Sequence, residues 1–502
     1  MAARAVMVLG ATSGAGKSWL ATALCRWYAR QGLRVAPFKA QNMSNNARVV
    51  PALDGSPGEI GSAQYFQALA ARARPDVRMN PVLLKPEHDT RSQVVVMGHV
   101  RADLAATPWR TRSEQLWPHA REALRSLLAE NDLIVIEGAG SPAEINLHAS
   151  DYVNMRTARE ANAACLLVVD IDRGGAFAHL YGTHQLLPPD ERALIRGFVL
   201  NRFRGDPSLL SPGPEDLERL TGVPTLAVIP MWREHGLPEE DGWFSETESE
   251  GRGQDDHGTA SAGGEIRIAI VAFPRISNLD EFQPLRRCPG VRLRWARTPR
   301  DLDGADWIVL PGSKHTSGDL RWMRDAGLEA PIVRHAARGA SVLGICGGLQ
   351  MLGETMTDPD GVDGNERGLG LLPLDTTFAR DKLLRQTRVR FTRLAGAWSP
   401  LTELAFDGYE IRHGRTTPRP GTVDGALRNE ADEPIGWRRD NVLGVYAHGL
   451  FESPEVMARL FGAPQRSLDD VLDGLAAFID RRFQPGVLLE LARAGAPVEG
   501  GT

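Results

Sequence analysis

The sequence predicts an α/β protein of two domains, each built on a mostly parallel sheet. Three observations carry that expectation. Short apolar runs alternate with helix-spaced segments along most of the chain, the pattern of buried strands covered by helices. An acidic, Gly/Ser-rich stretch breaks the rhythm once, at 239–264, and the rhythm then restarts. Each half also contains a strand–turn–helix junction of the kind that exposes reactive groups at a sheet edge. At 502 residues the chain is, besides, too long for one ordinary core.

The elements follow in order. Ala5 to Gly10 (AVMVLG) is a buried-type strand, then a loop, then a helix whose Leu20, Ala23, Leu24, Trp27 and Tyr28 form one apolar face. Further strands are expected at Val35 to Phe38, Val94 to Met97, Leu133 to Glu137, Leu166 to Asp170, Gly197 to Leu200 and Leu226 to Ile229. The stretch SETESEGRGQDDHGTASAGG at 245–264 is almost without large apolar side chains and reads as a flexible linker. Strands resume at Ile266 to Phe273, Trp307 to Leu310 and Val342 to Ile345, and the chain closes on a frayed tail, ARAGAPVEGGT. The expected division is a first domain over 1–238, a linker over 239–264, a second domain over 265–464, and a C-terminal helical extension and tail over 465–502.

Composition narrows the class. A net charge of −5 argues against a broad nucleic-acid footprint. No apolar run reaches the roughly 18 residues of a membrane span, and the N-terminus runs straight into a strand without a signal-peptide core. The four cysteines, Cys25, Cys165, Cys288 and Cys346, have neither metal-ligand spacing nor a paired framework, which fits a reducing compartment. The cytoplasm is the expected location.

Residues 10–18, Gly-Ala-Thr-Ser-Gly-Ala-Gly-Lys-Ser, lie between the first strand and the first helix. Such a loop aims backbone N–H groups at an anion, and the helix N-terminus adds partial positive charge. Thr12, Gly14, Gly16, Lys17 and Ser18 are the expected nucleotide contacts, with Lys17 on the β/γ-phosphates and Ser18 on Mg²⁺. The pattern departs from the usual one, with Ala11 where Gly is expected six residues before Lys17 and Gly10 one place earlier. Mg²⁺ bound to ATP needs acidic partners. Glu137, at the end of a buried strand, is one candidate, and Asp54, in a Leu-Asp-Gly turn, is the second, although an Asp beside Gly is also an ordinary turn former. Asp170 and Asp172 fit either a ligand role or helix capping.

In the second half, Cys346 stands in Gly-Ile-Cys-Gly-Gly between a strand and a helix, the thiol form of a nucleophile elbow. The helix N-terminus favours the thiolate. The N–H of Gly347 is placed to bind an oxyanion, and a second donor is expected from the turn Pro311-Gly312-Ser313, at Gly312. His448, after a short apolar strand about a hundred residues downstream, is the expected base; His413 and His335 compete with it. Cys25, Cys165 and Cys288 read as structural.

With these residues in place, the second domain resembles class I glutamine amidotransferases, and the one-residue offset of the phosphate loop resembles the dethiobiotin-synthetase-like branch of P-loop proteins. The stretches KAQNMSNNA (39–47), GEIGSAQYFQALAA (58–71), MNPVLLKP (79–86), EGAGSPAEINL (137–147), DYVNM (151–155), DIDRGGAFA (170–178), LPGSKHT (310–316) and YEIRHG (409–414) are similar to the cobyric acid synthase family over nearly the whole chain. That resemblance implies ATP- and glutamine-dependent amidation of the b, d, e and g carboxylates of adenosylcobyrinic acid a,c-diamide. The implied partners are a corrinoid and L-glutamine and the implied cofactors ATP and Mg²⁺, with Cys346 as nucleophile and His448 as base. Self-association is left open. Most class I members carry Glu two residues after the His, where this chain has Leu450; Glu452 is the nearest carboxylate in sequence, and the third member of the site stays open. Rival readings are cobyrinate a,c-diamide synthase, a cell-wall amidotransferase, a partitioning-type ATPase and a dethiobiotin-type carboxylase.

Overall fold

The computed structural model describes residues 4–88, 91–237, 265–421, 423–462 and 466–494. Six strands of the first half form one parallel sheet, in the order Thr225–Pro230, Ile195–Phe203, Ala164–Asp170, Arg4–Gly10, Leu133–Glu137, Val35–Phe38. Helices cover both faces, so both sets of alternating side chains are buried. Met7, Leu9, Ile134 and Ile136 enter one core cluster, and Val6, Val8, Leu133 and Val135 the other. This two-sided burial is why the strands read as continuous apolar runs. The strand order reverses beside the central strand Arg4–Gly10, and the carboxyl ends of the strands bring Gly10, Glu137, Asp170 and Asn201 to one edge.

Val94 to Met97 is not part of this sheet. The strand runs Arg91–Val96 and pairs antiparallel with Val82–His88 in a separate four-stranded sheet with Gln41–Met43 and His99–Val100. Met97 leaves the strand with φ 48°. Local pairing with the preceding apolar segment, in the register Val82 to Val96, supplies its hydrogen bonds. A two-stranded hairpin, Ala47–Pro51 with Pro57–Gly61, leads directly into the helix Ser62–Ala70.

The second half is built on a larger mixed sheet. Its parallel part runs Val291–Ala296, Ile266–Val271, Trp307–Leu310, Ser341–Ile345, Val442–Val445. Beyond it lie the antiparallel strands Pro434–Arg439 and Asp424–Arg428 and a long hairpin, Leu374–Phe391 with Ala405–Pro418. Alternation along that hairpin is broken by polar residues on both faces, so its length was not evident from periodicity.

The chain then returns to the first domain. The helices Leu468–Asp480 and Val487–Ala494 place Leu472, Leu475, Ile479, Leu488 and Leu491 in the same cluster as Leu20 and Leu24 of the helix Lys17–Arg30. Arg26 pairs with Asp469, the Trp27 indole donates to Asp480 (2.7 Å), and the Tyr28 hydroxyl donates to the Leu488 carbonyl (2.7 Å). The expected linker at 239–264 lies outside the described residues.

Candidate active sites

At the strand edge of the first domain, the loop after Gly10 curls over itself. Gly14 and Gly16 take φ of 69° and 94°, which a side chain would strain. A Cβ on Gly16 would also collide with the Asn201 amide, which donates to the Ala15 carbonyl at 2.9 Å. The Lys17 ammonium is folded back onto the carbonyls of Thr12 (3.4 Å) and Gly140 (3.2 Å), inside the loop rather than out in solvent. Ser18 donates to Glu137 Oε1 at 2.8 Å. The same carboxylate accepts from Lys39 (2.7 Å) and Gln67 (2.6 Å) and is fully buried. Burial alone would raise its pKa, but Lys39, Gln67 and Ser18 more than offset this and hold it below the usual carboxylate value.

Thr12, Gly14, Gly16, Lys17, Ser18 and Glu137 are therefore brought together, and Asp54 is not. Asp54 sits exposed in the tip of the Ala47–Gly61 hairpin, where its carboxylate accepts from the Ser56 backbone (2.9 Å) and hydroxyl (2.6 Å). Those bonds hold its pKa down and satisfy it as a turn former, so its expected metal role is corrected. Asp170 caps the turn Ile171–Arg173 and pairs with Arg202 at 3.0 Å, the capping alternative. Lys39 and Gln67 were missed. Lys39 could have been found, because it follows a buried strand ending at the same edge; Gln67, inside a helix, gave no signal.

In the second domain the strand Ser341–Ile345 turns abruptly at Cys346, which is held at φ 51°, ψ −104°. That is a strained conformation for a residue with a side chain. Gly348 makes the turn feasible, since a Cβ there would run into the Leu310 carbonyl. Gly347 packs against the Ser313 backbone N, and Gly312 against the His448 ring, so both expected oxyanion residues border the thiol's surroundings.

The Cys346 thiol, whose Sγ donates to the Ile411 carbonyl at 3.6 Å, interacts electrostatically with His448, and His448 Nδ1 lies 3.1 Å from Glu281 Oε1. The other Glu281 oxygen accepts the Gly449 N–H at 3.4 Å. With Nδ1 committed to the carboxylate, Nε2 is left for the thiol, the order of a nucleophile–base–acid relay. Burial would lower the imidazole pKa, but Glu281 and Cys346 raise it to about 10. Burial also raises Glu281, against the pull of His448. The carboxylate that meets His448 is that of Glu281, 167 residues before it, and not that of Glu452, which pairs with Arg48 at 2.7 Å. His335 Nε2–H donates to the Ser341 carbonyl at 3.2 Å, within its own helix–strand corner. His413 lies 3.0 Å from the Ala379 carbonyl, and burial with Lys382 and Lys314 nearby lowers its pKa to about 4. Cys25 and Cys165 are fully buried and their thiols pushed up, as expected of core residues.

Residues 6–237 match the CobQ/CobB/MinD/ParA nucleotide-binding domain, and residues 267–456 match the CobB/CobQ-like glutamine amidotransferase domain. Fold and sites together define a glutamine amidotransferase joined to a nucleotide-binding domain. The chain is 68% identical over 502 residues to the cobyric acid synthase of Methylibium petroleiphilum, covering 99% of this chain and 98% of that one. It is 65% identical over 509 residues to the cobyric acid synthase of Leptothrix cholodnii, with the same shares covered, 99% and 98%. The chain belongs to the cobyric acid synthase family. A solved glutamine amidotransferase structure overlaps 39% of this chain and 99% of its own, at 19% identity and a TM-score of 0.31.

Proposed function

We propose that the protein amidates the b, d, e and g carboxylates of adenosylcobyrinic acid a,c-diamide, giving adenosylcobyric acid at the expense of glutamine and ATP. Membership of the family supports the substrate over the a,c-diamide synthase and cell-wall alternatives. The observation that carries the chemistry is the Cys346–His448–Glu281 relay, in one chain with a preformed phosphate loop.

The phosphate loop fits ATP. The glycine backbone leaves a cradle that a Cβ on Gly10 would fill, 2.7 Å from the Thr12 carbonyl and 2.9 Å from Lys17 Nζ. Ser18 and Glu137 would hold Mg²⁺. Among the described residues no group of three or more His, Cys, Asp or Glu forms a cation cage, which suits an ion held by one carboxylate, one hydroxyl and phosphate oxygens. When bound, ATP supplies the phosphoryl group that activates the carboxylate for attack by ammonia. Lys17 leaves its two carbonyls to neutralise phosphate charge, and Lys39 balances Glu137.

At the second site the Cys346 thiolate attacks the glutamine amide carbon, while the N–H groups of Gly347 and Gly312 receive the oxyanion. The protonated His448 then donates to the departing nitrogen, releasing ammonia and leaving a thioester. The now neutral imidazole takes a proton from water as the water attacks, which frees glutamate and restores the thiolate. Glu281 holds the ring in place and balances its charge throughout. The domain division given above belongs to this proposal, as does a cytoplasmic location; no helix among the described residues is long and apolar enough to cross a membrane.

The test is mass spectrometry of the corrinoid after incubation with MgATP and glutamine. The expected result is a ladder of four products, each carrying NH₂ in place of one more OH. Cys346→Ala abolishes the ladder with glutamine and retains it with ammonium salts, whereas Lys17→Ala releases glutamate and makes no amide. Glutamate release by the native protein with no corrinoid product would refute the substrate.

A further inference from the structure

The turn that carries Glu281 is held by the other domain. Asn278, which precedes it, has φ 54°, an uncommon conformation for a side-chain-bearing residue. Two reciprocal hydrogen bonds fix it there. The Leu279 N–H donates to Asn46 Oδ1 at 2.9 Å, and the Ala47 N–H donates to Asn278 Oδ1 at 3.0 Å. One residue further on, Arg48 is 3% exposed and pairs with Asp280 and with Glu452, the latter at 2.7 and 2.9 Å through two nitrogens. Its guanidinium also lies 4.9 Å from the centre of the Tyr409 ring. Tyr409 in turn stacks on His448, with centroids 5.2 Å apart and planes 23° from parallel. Backbone bonds in both directions join Tyr409 and His448, the His448 N–H to the Tyr409 carbonyl at 2.9 Å and the reverse at 3.4 Å.

Arg48 therefore reaches the relay by two routes, through Asp280 beside Glu281 and through Tyr409 against His448. It also carries the one positive charge that Asp280 and Glu452 share in these contacts. Both of those carboxylates oppose ionisation of Glu281, so an uncompensated pair would weaken the anion that keeps His448 protonated. The groups around the relay are Cys346, Tyr409, Asp280, Glu452 and Arg48, and only Arg48 comes from the nucleotide-binding domain.

We propose that Arg48, with Asn46, is a positioning residue of the glutamine-hydrolysing site, supplied by the nucleotide-binding domain, and that glutamine is hydrolysed rapidly only while the two domains are docked through this contact. The proposal rests on the Cys346–His448–Glu281 reading.

The experiment measures glutamate release and ammonium-dependent amidation in full-length Arg48→Met, Arg48→Lys, Asn46→Ala and Glu281→Gln proteins. Arg48→Met is expected to lower kcat for glutamine hydrolysis roughly 10–100-fold, the scale of a small misplacement of catalytic groups. Its KM for glutamine stays within about twofold, because no contact with glutamine is removed. The acid limb of its pH profile moves to higher pH, because Asp280 and Glu452 without their cation favour protonation of Glu281; Arg48→Lys recovers part of the rate, and Asn46→Ala falls between. Amidation from ammonium salts persists in all. Because Arg48→Met leaves Asp280 buried without its partner, Arg48→Met with Asp280→Asn serves as the second variant, with the same expected loss of kcat. Native glutaminase rates in both Arg48 variants, or equal loss of the glutamine- and ammonium-dependent reactions, would overturn the role of Arg48. Undiminished hydrolysis by Glu281→Gln would overturn the relay itself.

Discussion

Glu281 and His448 illustrate how a single ion pair sets a protonation state. An imidazole buried alone would lose its proton more readily than in water, yet here it keeps it to about pH 10 because the carboxylate is buried with it. Replacing Glu281 with Gln keeps the shape and removes the charge. Removing an anion that stabilises the imidazolium lowers the His448 pKa, so the alkaline limb of glutaminase activity should move down in pH, with kcat reduced roughly 10²–10⁴-fold. A pH–rate profile of glutamate release checks both; an unmoved limb would mean that another group sets the protonation of His448. The sign for stability is the same. The raised histidine stabilises the folded state fully below its unfolded pKa near 6.5, and that contribution is lost as pH rises toward 10. Lys17 and Cys346 were legible in sequence because each is fixed by a contiguous strand–turn–helix segment. Glu281 was not, since nothing in its local sequence points to a His so far along the chain. Asp54 misled because an Asp beside Gly has the same sequence form whether it binds a cation or closes a turn.

At the scale of elements, the elbow works because two pieces of backbone nearly touch. Gly348 lies against the Leu310 carbonyl, so a methyl group there forces the helix Gly347–Leu352 away from the strand Trp307–Leu310. Gly348→Ala should cost about 1–3 kcal/mol, the usual penalty for overpacking, and should reduce glutaminase far more than ammonium-dependent amidation. Thermal melts paired with the two assays test this; an unchanged ratio of the two activities would refute it. The central strands were legible because two-sided burial leaves an unbroken apolar run. The hairpin Ala47–Gly61 and the long hairpin 374–418 were not, because some of their polar residues are buried against the other domain and so interrupt the apolar alternation. Glu59 shows this: fully buried, it pairs with Lys85 at 2.9 Å in its own domain and with Lys382 from across the interface. Burial, opposed by Glu59 and aided by Lys85 and Lys314, brings Lys382 down to about 7.

For the molecule as a whole, the nucleotide-binding domain is assembled from both ends of the chain. Ending the protein after residue 462 should strip the helix Lys17–Arg30 of its cover and expose Leu20, Leu24 and Trp27. Such a protein should bind an apolar dye, lose ATP-dependent amidation and keep a folded amidotransferase domain, as limited proteolysis would report. A truncated chain that amidates at the native rate would refute the structural role of the two C-terminal helices. The two-domain plan was legible from the restart of the α/β rhythm. The return of the chain was not, because an amphipathic helix carries no mark of which core it joins.

That return has a consequence for how the protein comes into being. Arg26 and Asp469 are 443 residues apart, and a ribosome adding 5–20 residues per second needs roughly 20–90 s to make the second after the first. During that interval the nascent nucleotide-binding half leaves the outer apolar face of its first helix uncovered, while the later amidotransferase half can close on itself before that cover is made. The first half to be made is thus the last to be completed, because its cover comes with the last two helices.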